Sequence, residues 1–149
     1  MEGRKRINDQ LTVGAQPTEE QLKQLAEEGF KSVVNLRMSG EKEQPLSPDE
    51  EGEKVRDLGL EYVHIPVPMT AMQPEQVDRF RKEVKRLAGP VFIHCYLGKR
   101  AGAFAMMDTA CEAGISGDQT LEQAEQMGFK CDVPELREFV KGYVDRNRK

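Results

Sequence analysis

The residues best suited to chemistry in this sequence lie in the segment PVFIHCYLGKRAG, residues 90–102. An apolar run ends at His94 and Cys95, and the chain then turns through a glycine to two adjacent cations, Lys99 and Arg100. A cysteine beside an anion-binding loop is the arrangement expected of a nucleophile that attacks phosphorus or sulfur. An ordinary strand-to-helix turn with a buried structural cysteine is the alternative.

The loop after the cysteine has the composition of a cradle for a tetrahedral anion. Gly98 permits a positive φ angle, or a close approach of the backbone that a side chain would block. The loop N–H groups and the positive end of the following helix would point at the same anion. Arg100 would hold two anion oxygens in a bidentate fork, and Lys99 would add a less directional charge. These donors would also favour the thiolate of Cys95 and place it for in-line attack, which gives a phosphocysteine.

The neighbours of this loop have predicted supporting roles. His94 lies on the opposite face of its strand, so we expect it to hydrogen-bond the loop backbone and hold its shape, not to act as a base. The residues predicted to bind phosphate are Tyr96, Leu97, Gly98, Lys99, Arg100 and Ala101. Cys111 is predicted to lie in the core and Cys131 in a polar turn. No pair of histidines or cysteines has the spacing of metal ligands, so no metal site is predicted.

The elements that would position the loop alternate between strands and helices. Runs typical of strands are 9–16, 31–37, 61–67 and 90–95. Helices are predicted to start at Thr18, at Ser47 and at Gln73, after the cysteine loop, and near residues 118 and 133. This alternation predicts an α/β fold with a central, mainly parallel sheet of about four to five strands flanked by helices. Ligands of such sheets bind beyond the carboxyl ends of the strands, where Cys95 lies.

Length and composition narrow the classes of function. A chain of 149 residues fits a single domain, 1–149, and its 38% hydrophobic and 32% charged residues are normal for a soluble globular protein. The net charge of −4 argues against nucleic acid or an acidic membrane as partner, so the basic ends, 4–6 and 146–149, are interpreted as solvated termini. Three unpaired cysteines, with neither a signal peptide nor a long apolar run, predict a cytoplasmic protein.

Four segments, in order along the chain, resemble one known family. They are GAQPTEEQLKQLAEEGFKSVVNLR (14–37), YVHIPV (62–67), GPVFIHCYLGKRAG (89–102) and AGISGDQTLEQAEQMGF (113–129). The family is the bacterial beta-lactamase-hydrolase-like phosphatases, a branch of the cysteine-dependent protein tyrosine and dual-specificity phosphatase superfamily. The resemblance implies a dual-specificity-phosphatase-like fold, a Cys95 nucleophile, an Arg100 phosphate clamp and no metal or cofactor. It also implies a phosphorylated substrate, either a protein or a small molecule.

Three departures from the superfamily pattern bear on turnover. Four residues separate Cys95 from Arg100 where the superfamily has five, a spacing shared with the named family and with rhodanese-type sulfurtransferases. Ala101 stands where a Ser or Thr usually supports the departing thiolate, so we expect hydrolysis of the phosphocysteine to be about 10–100-fold slower. The loop 68–73, where dual-specificity enzymes carry a general-acid Asp, contains no carboxylate.

The loop after the strand 31–37 offers the nearest replacement acids. Glu41 and Glu43 emerge at the same sheet edge as Cys95, and a solvated charged loop is the alternative interpretation for both. Arg37 would supply a second cation to the phosphate, or form a surface salt bridge with one of these glutamates.

The sequence thus predicts a cysteine-dependent phosphomonoester hydrolase that acts through a phosphocysteine. Two alternatives stay open: a rhodanese-like sulfurtransferase that carries a persulfide on Cys95, and an anion-binding protein of this fold with little turnover. The physiological substrate, the proton donor and the oligomeric state are not predicted.

Overall fold

The computed structural model describes residues 4–129 and 133–149, in which five strands form one sheet. The strands are β1 (Lys5–Arg6), β2 (Leu11–Gly14), β3 (Ser32–Asn35), β4 (Glu61–His64) and β5 (Val91–His94). The helices are α1 (Glu19–Glu27), α2 (Pro48–Asp57), α3 (Pro74–Arg86), α4 (Lys99–Ala113), α5 (Gly117–Gln126) and α6 (Pro134–Asn147).

The sheet has the order β1-β2-β5-β3-β4, and its last four members run parallel. His94, the last residue of β5, pairs with Gly14 of β2 and with Asn35 of β3, so the carboxyl ends of three strands meet at one edge. This architecture confirms the predicted α/β fold with a mainly parallel sheet. The cysteine that follows β5 therefore lies at the centre of that edge.

One edge strand was not predicted. Lys5 and Arg6 form β1, which pairs antiparallel with β2, whereas the sequence interpretation treated this basic end as a solvated terminus. A strand of two residues is too short to show an alternating pattern. β1 forms because it pairs with β2, and not because of a signal in its own sequence.

Local signals explain where the helices begin. Thr18, Ser47 and Ser116 are N-caps whose side chains accept a hydrogen bond from the backbone three residues on, and each forms a full capping box. Pro48 at the first position of α2 adds a fixed φ angle suited to a helix start. The predicted starts at Thr18 and Ser47 are confirmed.

The core lies on both faces of the sheet. Val91, Phe92 and Ile93 of β5 are fully buried, which explains the continuous apolar run of this strand. Phe92 packs with α1 and α2 on one face, and Ile93 packs with α3 to α6 on the other. α4 is buried on nearly all sides, so the unit from β5 through the loop to α4 is held rigidly. In the described part of the chain, no helix combines the length and apolar character needed to cross a membrane.

Candidate active site

Cys95 lies directly beyond the carboxyl end of β5. The residue is buried, with 1% exposure, and the backbone N–H of Gly98 donates a hydrogen bond to its Sγ at 3.1 Å. This hydrogen bond holds the sulfur inside the loop. The loop therefore presents Cys95 at the centre of the sheet edge where ligands of this fold class bind.

Gly98 makes the short loop possible. It is the N-cap of α4 and has φ of 98° and ψ of −8°, in the left-handed region that glycine adopts without strain. A Cβ at this position would make only ordinary contacts, 3.7 Å from the carbonyl carbon and oxygen of Gly14. Backbone conformation, more than space, is thus what requires glycine here, and the predicted positive φ is confirmed.

Arg100 enters the site from the first turn of α4 and is 3% exposed. Its Nη1 donates to Glu41 Oε2 at 2.7 Å and to the Val67 carbonyl at 2.9 Å, while Nη2 donates to Glu41 Oε1 at 2.9 Å. Its Nε is buried and has no hydrogen-bond partner among residues 4–129 and 133–149. Burial lowers the pKa of Arg100, but the effects of Glu41 and Cys95 are larger and raise it above its ordinary value. The guanidinium is fixed and charged, and these three hydrogen bonds use three of its five N–H donors, which leaves Nε–H and the second N–H of Nη2.

Glu41 is held as a carboxylate by its neighbours. Burial raises its pKa, but hydrogen bonds from Arg100, from the Met38 backbone N–H at 2.6 Å and from Arg37 outweigh that effect and lower the pKa to about 2. A carboxyl with this pKa carries no proton at neutral pH. In this arrangement Glu41 is the ion-pair partner of Arg100, and it is not suited to the acid role considered from the sequence.

Arg37 forms the salt bridge with Glu41 that was considered from the sequence, but it is fully buried and does not lie on the surface. Its Nε donates to Glu41 at 3.1 Å, and its Nη1 donates to Gln16 Oε1 at 2.9 Å and to the Glu43 carbonyl at 3.3 Å. The guanidinium carbon also lies 4.8 Å from the centre of the Tyr96 ring. Arg37 therefore braces the segment 38–46 against the cysteine loop.

The remaining loop residues have different surroundings. The Tyr96 hydroxyl donates to the carboxylate of Glu43, and this hydrogen bond raises the pKa of Tyr96. Glu43 thus reaches the cysteine loop through Tyr96. Leu97 is 71% exposed, Lys99 is exposed and Ala101 is fully buried. The loop therefore contributes its backbone to the site, while the side chains of Leu97 and Lys99 face outward.

The segment 68–73 borders an open groove beside the loop. The groove has a volume of about 570 Å³, and its lining includes Met69, Thr70, Met72, Lys99, Leu136 and Phe139. Met69 is 47% exposed within it. Met69 and Met72 thus form part of the groove wall, and the groove offers an apolar surface next to the cysteine loop.

Sequence reasoning missed Glu51, which is 1% exposed on α2. Its Oε2 lies 2.8 Å from His94 Nε2, and His94 Nδ1 lies 3.2 Å from the Cys95 carbonyl oxygen. His94 thus contacts the loop backbone, as expected. Glu51 precedes the buried Val55 by four residues, and this shared helix face is the signal that would have revealed a buried acid.

The chain has two further cysteines, at positions 111 and 131. Cys111 is fully buried in the core, as predicted, and burial raises its pKa. Cys131 lies outside the described residues, so its interpretation stays a prediction. Within the described ranges, no three His, Cys, Asp or Glu side chains are grouped to hold a metal ion.

Comparison with known proteins identifies related sequences. The family model described as "DSP-PTPase phosphatase fused to NAD+ Kinase" matches residues 3–137. A beta-lactamase hydrolase-like protein from Xylella fastidiosa is 30% identical over 122 residues, which are 82% of this chain and 27% of that protein. The chain therefore spans about a quarter of the length of the curated relatives it matches.

Solved structures share the fold across nearly the whole chain. A DUF442 protein from Shewanella putrefaciens CN-32 is 25% identical with a TM-score of 0.82, over 99% of this chain and 94% of that one. Tk-PTP in its active form is 23% identical with a TM-score of 0.80, over 97% of each chain. Since the family match over residues 3–137 includes the whole cysteine loop, this chain belongs to the DSP-PTPase phosphatase family, in the dual-specificity and tyrosine phosphatase superfamily, and is related to the beta-lactamase hydrolase-like proteins.

Proposed function

We propose that this chain is a cysteine-dependent phosphomonoester hydrolase in which Cys95 attacks phosphorus and Arg100 binds two phosphate oxygens. The observation that carries the proposal is Arg100 Nε, a buried donor with no partner among the described residues. A buried, unpaired N–H group is costly until a ligand satisfies it, and a phosphate oxygen is a strong acceptor for a guanidinium. The loop N–H groups and the start of α4 favour an anion at the same place.

The first chemical step forms a bond between Cys95 Sγ and phosphorus while the bond from phosphorus to the ester oxygen breaks. The leaving oxygen keeps the electron pair and takes a proton from solvent. In the second step a water oxygen attacks phosphorus, its proton passes to solvent, and the sulfur leaves as a thiolate. Arg100 balances the charge of the phosphoryl group in both steps. The Gly98 N–H stabilises the sulfur that departs.

The site favours substrates whose leaving group needs little help from an acid. The segment 68–73 has no carboxylate, and Glu41 is ionised. Aryl phosphates, phosphotyrosine among them, have more stable leaving anions than alkyl phosphates. We therefore propose an aryl or similarly activated phosphomonoester, on a protein or a small molecule, as the substrate. A cytoplasmic location is part of the proposal, because Cys95 and Cys111 are both free thiols.

An anion-binding role with little turnover is the second candidate. Ala101 is buried and offers no hydroxyl to the departing thiolate, and Glu41 occupies two nitrogens of Arg100. The missing hydroxyl would slow turnover more than binding, whereas Glu41 would compete with the anion for Arg100. The family match supports phosphorus chemistry over sulfur transfer.

Hydrolysis of p-nitrophenyl phosphate tests the proposal directly. We expect Cys95→Ser to abolish turnover and Arg100→Ala to reduce kcat/KM by about 100-fold or more, because the clamp acts on transition-state charge. The matched controls are Cys111→Ala, which alters a core thiol, and Arg79→Ala, which alters an exposed arginine of α3. A denaturing quench during turnover should leave phosphate on Cys95. Steady turnover by Cys95→Ser would exclude this mechanism, and vanadate binding without repeated turnover would favour the second candidate.

A further inference from the structure

A pocket of about 250 Å³ lies between the cysteine loop, the ends of β2 and α5, and the helices α4 and α6. Its lining includes Val13, Gly98, Met106, Ala124, Phe129 and Leu136, and we refer to it as the Phe129 pocket. Cys95, Arg100 and Glu41 do not line it, so it is separate from the proposed phosphate site. An apolar cavity of about 150 Å³ is large enough to bind benzene, so the Phe129 pocket has room for a small organic molecule.

The walls of the Phe129 pocket are formed by close packing. A Cβ at Gly102 would lie 2.5 Å from Phe129 Cε1, so the phenyl ring packs directly on the backbone of α4. Met106 on α4, Ala124 on α5 and Val140 on α6 are almost fully buried. An apolar group in this pocket would therefore contact side chains and backbone that are already in place, as is usual for small-molecule sites.

The charges around the Phe129 pocket have one sign. Its charged lining residues are Lys5 and Lys99, and no acid in the described part of the chain lines it. Lys5 on β1 is half-buried, and its amino nitrogen lies over Gly128, 3.0 Å from where a Cβ would stand. Within residues 4–129 and 133–149, this amino group has neither an ion pair nor a hydrogen bond. An apolar lining with only positive charges complements an apolar molecule that carries a negative charge.

We propose that the Phe129 pocket binds a small apolar carboxylic acid, with its carboxylate paired to Lys5 and its hydrocarbon part against Met106 and Phe129, and that the bound acid steadies the cysteine loop through Gly98. The lining suits an aliphatic chain and an aromatic ring alike. This binding site goes beyond the proposed phosphatase function, because the nucleophile and the phosphate clamp do not line it.

Gly98 connects the Phe129 pocket to the nucleophile. It lines the pocket, and its N–H donates to Cys95 Sγ at 3.1 Å. The same loop is tied to the end of β2, because the Gln16 N–H donates to the Tyr96 carbonyl at 3.1 Å. An acid that packs against Gly98 must leave before the loop can change its shape there. Occupancy of the pocket therefore stabilises the loop conformation that holds the sulfur.

Titration of the full chain with sodium octanoate and with sodium 2-naphthoate, followed by NMR chemical shifts, tests the site. Shifts should be largest at Met106 and Phe129. Binding of octanoate alone would assign an aliphatic acid, and binding of 2-naphthoate alone an aromatic one. Binding of neither acid, or shifts that centre elsewhere, would overturn the proposal. The measurement needs no turnover, so its outcome is separate from that for phosphatase activity.

The role of Lys5 is tested by comparing a charged ligand with a neutral one. Lys5→Gln should raise the dissociation constant of octanoate by about 3–5-fold and leave that of octan-1-ol unchanged, because only the acid pairs with the amino group. Lys23→Gln, at an exposed position of α1, is the matched control. An equal change for the two ligands, or no change for octanoate, would refute the pairing.

Two further measurements locate the bound acid. Ala124→Leu adds side-chain volume to the pocket and should abolish octanoate binding, whereas Ala113→Leu, at an exposed position of α4, should not. Vanadate should leave octanoate bound, and competitive displacement would place the acid in the phosphate site and overturn the proposal. The vanadate experiment uses the wild-type protein, so it decides the matter even if Ala124→Leu fails to fold.

Hydrogen exchange of the Gly98 amide tests the effect on the loop. With octanoate at about ten times its dissociation constant, exchange in the wild-type protein should slow by up to about tenfold, because opening of the loop then requires an empty pocket. At the same octanoate concentration, Lys5→Gln should show less protection. An unchanged exchange rate with the pocket occupied would refute the link between the acid and the loop.

Discussion

The Glu41 carboxylate binds both terminal nitrogens of Arg100, with Oε2 2.7 Å from Nη1 and Oε1 2.9 Å from Nη2. The Val67 carbonyl accepts a third hydrogen bond from Nη1 at 2.9 Å, so the guanidinium has an anchor independent of Glu41. A phosphate dianion on Arg100 would share this cation with a carboxylate of the same sign. Glu41 would therefore compete with a bound anion, while it ties the segment 38–46 to Arg100.

Removing the Glu41 charge should strengthen anion binding. We expect Glu41→Gln to lower the inhibition constant of vanadate by about 3–10-fold, because a repulsive charge near the dianion is lost while Val67 still orients Arg100. Competitive inhibition of p-nitrophenyl phosphate hydrolysis measures this constant, with Glu53→Gln as the control. Weaker vanadate binding in Glu41→Gln would show that the carboxylate supports the cradle instead of competing for it.

The stabilisation provided by Glu41 should depend on pH. Its pKa in the folded protein is about 2, below the ordinary value of 4.5, so the carboxylate stabilises the fold fully above pH 4.5. That contribution is lost as pH falls from 4.5 toward 2, because the unfolded chain then takes up a proton that the folded-state carboxylate does not yet bind. Urea unfolding of the wild type and of Glu41→Gln should therefore differ most at neutral pH. A difference that stays constant down to acid pH would contradict the ion pair.

The sequence was sufficient for the local features of the fold and of the site. Capping at Thr18 and Ser47 involves residues three apart, and the β5 run and Gly98 are likewise read from neighbours along the chain. Contacts between distant segments were not readable in this way. Arg100 pairs with Glu41, which lies 59 residues earlier in the sequence. The path that brings the segment 38–46 to Arg100 depends on many contacts at once, so a local sequence pattern does not reveal this pair.

Glu51 is a second residue whose contact with a distant segment could not be predicted from the sequence. It meets His94 across 43 residues, and its burial follows from the docking of α2 on the sheet. Helix periodicity marks its face as buried but does not name the partner. The pairing of Glu51 with His94 therefore had to come from the structure.

Gly98 should be required for activity beyond its effect on stability. Gly98→Ala places a side chain at φ 98°, and Gly29→Ala does so at φ 99° in the turn after α1, where no atom lies within 4 Å of the new Cβ. We expect each change to lower the free energy of unfolding by about 1 kcal/mol, since the backbone strain is alike. Only Gly98→Ala should also reduce phosphatase activity, because it shifts the N–H that donates to Cys95 Sγ. Equal activity in the two variants would show that the loop tolerates this shift.

A hydroxyl after the arginine should restore part of the second step. Ala101→Ser places a donor at the start of α4, and we expect kcat to rise by about tenfold as the thiolate leaves more readily. kcat/KM should change little, because it reports steps up to formation of the phosphocysteine. The burst of p-nitrophenol seen in rapid mixing should shrink accordingly. Ala103→Ser, in the same buried helix, is the control for an added hydroxyl. An equal rise of kcat in Ala103→Ser would show that the hydroxyl at position 101 has no specific effect on the departing thiolate.

The absence of a proton donor in the segment 68–73 should appear in the choice of substrate. Across a series of aryl phosphates, kcat/KM should fall steeply as the pKa of the leaving phenol rises, since the departing oxygen must carry its charge. Glu41→Gln should keep the same slope, because an ionised carboxylate gives no proton. A shallow slope in the wild type that steepens in Glu41→Gln would identify Glu41 as the acid after all. A shallow slope in both would place the donor elsewhere in the chain, and the steep slope that we expect leaves solvent as the source of the proton.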